Sequence, residues 1–141
     1  MRILAVDYGK RNIGLALSDE TGTLARALSV LPHVSRLVDA GQVAERAATH
    51  AAGRIIVGVS YDEDGRLNTA GRTATRFVEV LRNQTALPVE LWDESLTTRD
   101  ARELRLAMGV GRKQRGGHLD DVAAALLLQN YLDAQSSTRN G

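Results

Sequence analysis

Residues 1–19, MRILAVDYGKRNIGLALSD, decide the fold. Ile3, Leu4, Ala5 and Val6 are apolar on both alternating faces, the pattern of a central strand covered from both sides. The run ends in Asp7, and the next five residues, Tyr8-Gly9-Lys10-Arg11-Asn12, supply the Gly and Asn that a hairpin connection favours. A second apolar run follows from Ile13 to Leu17. A carboxylate at the end of a central strand is costly to desolvate unless a cation or hydrogen bonds offset it. Asp7 therefore sets the question for the rest of the chain: which groups meet it.

Further along, Glu20-Thr21-Gly22-Thr23 reads as a turn and residues 25–31 as a third strand that ends before Pro32, completing an antiparallel meander. Residues 35–52 carry Leu37, Val38, Val43, Ala44, Ala47, Ala48 and Ala51 at helical spacing, with Gly53 as the expected stop and Gly41 as a weak point. Residues 54–60 (RIIVGVS) form a β-branched strand signal. A polar loop with Asp62, Glu63 and Asp64 separates it from a helix beginning at Asn68 or Thr69 and running to about Asn83. Residues 88–92 (PVELW) read as the last strand, closing on Asp93-Glu94. Thr97 and Thr98 are N-cap residues for a helix to Met108. A glycine-rich basic loop, 109–117, leads to a final helix over 118–134. The expectation is an α/β fold whose mixed sheet has five strands, an antiparallel meander then parallel strands, with helices on both faces. One domain is expected over 1–135, with a flexible tail over 136–141.

Bulk composition narrows the function classes. The chain has 141 residues, 43% of them hydrophobic and 25% charged, which suits a globular domain with a real core. No apolar run nears the ~18 residues of a membrane span, and the opening residues read as a strand instead of a signal peptide, so no membrane association and a cytoplasmic location are expected. Without cysteine there are neither disulfides nor thiolate metal sites. The net charge is only +1, but its distribution is uneven. Lys10 and Arg11 follow Asp7, and Arg112, Lys113 and Arg115 crowd the glycine-rich loop just before Asp120. Glycines let such a loop approach a polynucleotide backbone, where cations meet phosphates. At 4% aromatic residues, base stacking is a poor basis for binding.

Three acidic sites lie at element ends: Asp7 after the first strand, Asp93-Glu94 after the last, and Asp120-Asp121 opening the final helix. Strand C-termini line the ligand crevice of α/β sheets, so Asp7 and Glu94 need only lie on one side of the sheet to meet. At about 100° per residue Asp120 shares a helix face with Ala123, Ala124, Leu127 and Tyr131, whereas Asp121 lies about a quarter turn away. Converging carboxylates repel unless a divalent cation joins them, and an all-oxygen set suits one or two Mg²⁺ or Mn²⁺ ions. Two such ions activate water and stabilise the leaving oxygen of a phosphodiester. His33, His50 and His118 show no metal-ligand spacing, and Ser18, Ser60 and Ser95 have no His-Asp partners.

Residues 6–19 (VDYGKRNIGLALSD), 57–65 (VGVSYDEDG), 93–98 (DESLTT) and 120–132 (DDVAAALLLQNYL) together resemble the YqgF/RuvX family of RNase H-like proteins. The resemblance implies an RNase H-like fold and catalytic, metal-binding carboxylates at Asp7, Glu94 and Asp120. It implies a nuclease acting on the 5′ end of pre-16S rRNA in ribosome maturation, or, by similarity to RuvC, a Holliday junction resolvase. The partner would be structured RNA or branched DNA, and paired cuts on a junction would call for a homodimer. The chain departs from the family pattern at Ser60-Tyr61-Asp62, where the family has proline and asparagine, and at Ser95, where it has arginine. Two readings of other classes compete with the nuclease. One is a nucleotide-binding phosphotransferase, since an Asp-x-Gly hairpin also opens actin-like and sugar-kinase folds; the other is a non-catalytic nucleic-acid-binding module.

Overall fold

A computed structural model describes residues 1–94 and 119–140, with backbone alone at 119–121 and 137–140. β1 (Arg2–Tyr8) lies at the centre of a five-stranded sheet in the order β3-β2-β1-β4-β5. β2 (Asn12–Ser18) and β3 (Ala25–Pro32) complete the antiparallel meander, while β4 (Ala52–Val59) and β5 (Val89–Asp93) run parallel to β1. This is the expected mixed sheet. Leu4, Ala5 and Val6 are wholly buried, as an apolar run on a central strand requires. β3 takes in Pro32 because it is an edge strand, where a missing N–H removes no ladder bond.

Alternation along the strands divides the core. Leu4, Val6, Leu15, Ile55, Val57 and Val59 pack with α1 (Arg36–Thr49) and α2 (Thr69–Arg82) on one face. Ile3, Ala5, Ala16 and Ile56 pack on the other against Ala124, Leu127, Leu128 and Tyr131 of α3 (Leu119–Asn140). Of the expected stripe of α3, Ala124, Leu127 and Tyr131 meet the sheet, whereas Ala123 is exposed. Gln129 clamps the start of β3: its Nε2 donates to the Thr23 carbonyl (3.0 Å) and its Oε1 accepts from the Ala25 N–H (2.9 Å). Asp19 closes the β2–β3 turn. The Thr21 hydroxyl, then the Thr23 and Leu24 N–H groups, hold its carboxyl down at about 2.

Helix boundaries depart from the sequence pattern in instructive ways. Ser35 and Asn68 cap α1 and α2, their side chains accepting from the Val38 N–H (3.2 Å) and the Gly71 N–H (2.8 Å). α1 stops at Thr49 without the help of Gly53: Ala51 takes the left-handed conformation, φ 55°, and β4 has begun by Ala52. Gly53 serves close approach instead, since a Cβ there would lie 2.5 Å from Met1 Cγ. The buried positions of α1 are Asp39, Ala40, Val43 and Ala47, whereas Leu37 and Val38 are exposed. α3 continues past Ala134 to Asn140, there being no Gly or Pro within it to break the helix. The helix expected from Thr97 or Thr98 and the basic loop at 109–117 lie outside the described residues.

Two glycines separate helix propensity from packing. A Cβ at Gly41 meets nothing within 4 Å, so Gly41→Ala should raise the unfolding free energy by about 1 kcal/mol in urea titrations. The same change at Gly71 places a Cβ 2.3 Å from the Ser60 carbonyl oxygen and should cost about 1–3 kcal/mol. Ala51→Gly should stabilise by about 0.5–1 kcal/mol, the relief of the left-handed strain less the added freedom of the unfolded chain. An unchanged urea midpoint for Ala51→Gly would show that the relief of strain does not exceed the added freedom of the unfolded chain.

Candidate active site

Asp7 is half-buried near the C-terminal end of β1 and shares the α3 side of the sheet with Ile3 and Ala5. Its neighbours across the sheet are both glycines. Gly14 faces it on β2, and Gly58, one step beyond the Val6–Val57 pair, stands level with it on β4. The positions level with the carboxylate on both adjacent strands therefore carry no side chain.

The space over Gly58 is taken by Glu94. A Cβ on Gly58 would lie 3.1 Å from Glu94 Oε2 and 3.0 Å from Leu127 Cδ2, so the Glu94 carboxylate reaches inward from β5 across β4, on the face and at the level of Asp7. The Glu94 N–H donates to the Val59 carbonyl (3.0 Å), extending the β4–β5 ladder one rung past Asp93. Alternation separates the two acids: Val89, two pairs of residues before Asp93, belongs to the α1–α2 core, whereas Trp92 and Glu94 lie on the α3 side.

α3 runs antiparallel to β4. Leu127 lies against Gly58 near the C-terminal end of that strand, and Tyr131, one turn on, reaches back to Arg54 (2.9 Å) and Glu90 (2.8 Å). The start of the helix therefore points beyond the strand ends that hold Asp7 and Glu94. Asp120 lies in that first turn, about two turns before Leu127 and on the same stripe. The side chains of Asp120 and Asp121 lie outside the described residues. No cluster of three metal-ligating groups is found among the described residues, which hold only two of the expected three carboxylates. The donor set of Asp7 and Glu94, all oxygen, suits a hard divalent ion.

The expected phosphate contacts divide. Lys10 lines a cleft with Tyr8 and His33 on the α1–α2 side of the sheet, not the Asp7 side. Arg11 is exposed in the β1–β2 turn, its carbonyl accepting from the His33 N–H (2.8 Å). Arg112, Lys113, Arg115, His118 and Ser95 lie outside the described residues.

Two features escaped the sequence reading. The glycine pair beside Asp7 was visible as residues, but only the strand register shows that they flank it. The second feature is a network on Asp39, which is fully buried in α1. Its Oδ2 accepts from the Tyr8 hydroxyl (2.7 Å) and meets His33 Nδ1, and its Oδ1 accepts from the Val34 N–H (2.9 Å). Burial, and then the Asp39 carboxylate, push the Tyr8 hydroxyl well above its usual range. The signal for this network was an acid in phase with Ala40, Val43 and Ala47.

Comparison with known proteins agrees with this architecture. The family model described as "RuvX: Holliday junction resolvase" matches residues 1–134. A protein of Syntrophus aciditrophicus named "Putative pre-16S rRNA nuclease" is 39% identical over 99% of this chain and 93% of its own length. One of the same name from Thermoanaerobacter pseudethanolicus is 37% identical over 97% of this chain and 99% of its own. Among solved structures, T. thermophilus RuvC in complex with a Holliday junction substrate superposes with a TM-score of 0.65 at 16% identity, covering 98% of this chain and 97% of that one. The fowlpox virus resolvase in complex with Holliday junction DNA gives 0.57 at 14% identity, covering 96% of this chain and 99% of its own. The sheet order and the helices on both faces are those of the RNase H-like fold shared with these resolvases, and the chain belongs to the RuvX family.

Proposed function

We propose that this protein is a metal-dependent nuclease that hydrolyses phosphodiester bonds in structured RNA, with the 5′ end of pre-16S rRNA as its substrate. The observation that carries the reading is the Glu94 carboxylate lying over Gly58, level with Asp7 and on the sheet face where α3 begins with Asp120. The names of the full-length relatives support the RNA substrate. Asp7, Glu94 and Asp120 would hold one or two Mg²⁺ or Mn²⁺ ions, which when bound supply Lewis-acid stabilisation of the scissile phosphate and a more acidic attacking water. Lys10, Arg11, Arg112, Lys113 and Arg115 would position the polynucleotide through its phosphates. No helix among the described residues is long and apolar enough to cross a membrane, and the proposed substrate places the work in the cytoplasm.

The family model's description favours a second reading, resolution of Holliday junctions, which as a pair of cuts calls for a homodimer. Cleavage in Mn²⁺ of an RNA spanning the 5′ end of the 16S precursor, set beside a four-way DNA junction, separates the two. Cleavage of the RNA alone is expected; cleavage of the junction alone would move the assignment to the resolvase, and cleavage of neither would refute a nuclease. Asp7→Asn and Glu94→Gln should each lower the cleavage rate at least about a hundredfold, with melting curves that show an intact fold. Chelation with EDTA should abolish turnover, and Mn²⁺ should restore it.

Gly58→Val tests the geometry without touching a carboxylate. Its side chain would fill the space held by Glu94 and Leu127, so cleavage should fall by about tenfold or more while the protein still folds at a cost of about 1–3 kcal/mol. Full activity in that variant would show that Glu94 does not act from above Gly58.

A further inference from the structure

Tyr8 follows Asp7 in β1 and so faces the other side of the sheet. There it borders a cleft of about 420 Å³ whose lining includes Lys10, His33, Ser35, Arg36 and Thr73. The lining carries two full positive charges and no carboxylate. Among the described residues neither Lys10 nor Arg36 forms an ion pair. The nearby acid, Asp39, is fully buried, and both its oxygens are already engaged by Tyr8, His33 and the Val34 N–H. The Ser35 Oγ accepts from the Val38 N–H, which leaves its hydroxyl proton to donate. Two cations, a hydroxyl donor and an imidazole around a cleft are the complement of a phosphate group.

The cleft is also tied to the candidate active site. Lys10 belongs to the β1–β2 turn, which is closed by the Gly9 N–H on the Asn12 carbonyl (3.0 Å) and joined to the cleft wall by the His33 N–H on the Arg11 carbonyl (2.8 Å). Asp7 and the cleft thus lie on opposite faces of one strand at the same end. A polynucleotide that meets both must bend around the end of the β1–β2 hairpin past Lys10 and Arg11. Duplex, with a persistence length of about 50 nm in DNA, does not make that bend cheaply, whereas a single strand does. We propose that the cleft is a second phosphate subsite that receives a single-stranded stretch flanking the bond to be cut, an inference that rests on the nuclease reading above.

The test uses the full chain carrying Asp7→Asn, so that substrate survives, and two fluorescent RNAs: a short hairpin with a 10-nucleotide single-stranded 5′ extension and the same hairpin blunt-ended. The extended RNA should bind at least severalfold more tightly. Adding Arg36→Gln should remove most of that preference and reduce the log–log salt slope for the extended RNA by about 0.7–1. In NMR titrations the backbone amides of Ser35, Arg36, Leu37 and Thr73 should shift with the extended RNA and stay still with the blunt one, a readout independent of the Arg36 variant. Equal affinity for both RNAs, or an Arg36→Gln protein with unchanged affinity and slope, overturns the subsite and leaves the nuclease reading standing. Binding of neither RNA overturns both.

Discussion

The structure depends on the pleat of β1. Because successive side chains of a strand point to opposite faces, Asp7 and Tyr8 are delivered to two different layers by a single peptide step. Burial of Leu4, Ala5 and Val6 on both faces locks the register, since a slip of one residue would exchange the two layers. The strand that anchors the core therefore also fixes the side of the sheet on which each polar group emerges. On the α3 side, Gly14 and Gly58 stand level with the carboxylate on the two adjacent strands. On the other side, Tyr8 stacks on Phe77 with ring centroids 4.0 Å apart and gives its hydroxyl to Asp39.

Asp39 shows how this fold tolerates a buried acid. Left alone, a carboxylate in an apolar layer would be too costly to keep ionised. Here a hydroxyl, an imidazole nitrogen and a main-chain N–H converge on it. The same contacts join the segment after β3 and the start of α1 to β1, about thirty residues earlier in the chain. Such a network ties the start of α1 to the strand that carries Asp7, so the α1–α2 face has a polar anchor as well as an apolar one.

Much of the architecture was legible because it rests on periodicity. The meander followed from apolar runs separated by Gly- and Asn-bearing turns, and α2 from Asn68 and a stripe through Ala70, Ala74, Phe77, Val78 and Leu81, of which Ala70 alone is exposed. Failures came where a residue served a role its type does not advertise. Ala51 ends α1 in a conformation usually left to glycine, while Gly53, the apparent stop, makes room for Met1. Leu37 and Val38 counted as core by type, although the phase of the helix buries Asp39 and Ala40 instead. At the candidate site, Asp7 stood out because a charge ended an apolar strand, and Glu94 because it followed one. Their placement at one level and on one face, Glu94 over Gly58 beside β1, depended on strand order and register, which no local pattern contains.

The attachment of Glu94 has a dynamic consequence. β5 is an edge strand of only five residues, and the glutamate sits one position beyond its end, held to the sheet by the bond from its N–H to the Val59 carbonyl. Strand ends fray at far lower free energy than a central strand such as β1 opens. One carboxylate is thus built into the most stable part of the molecule and the other into one of its least stable margins. Local opening of β5 carries Glu94 away from Asp7 while the central strands stay paired.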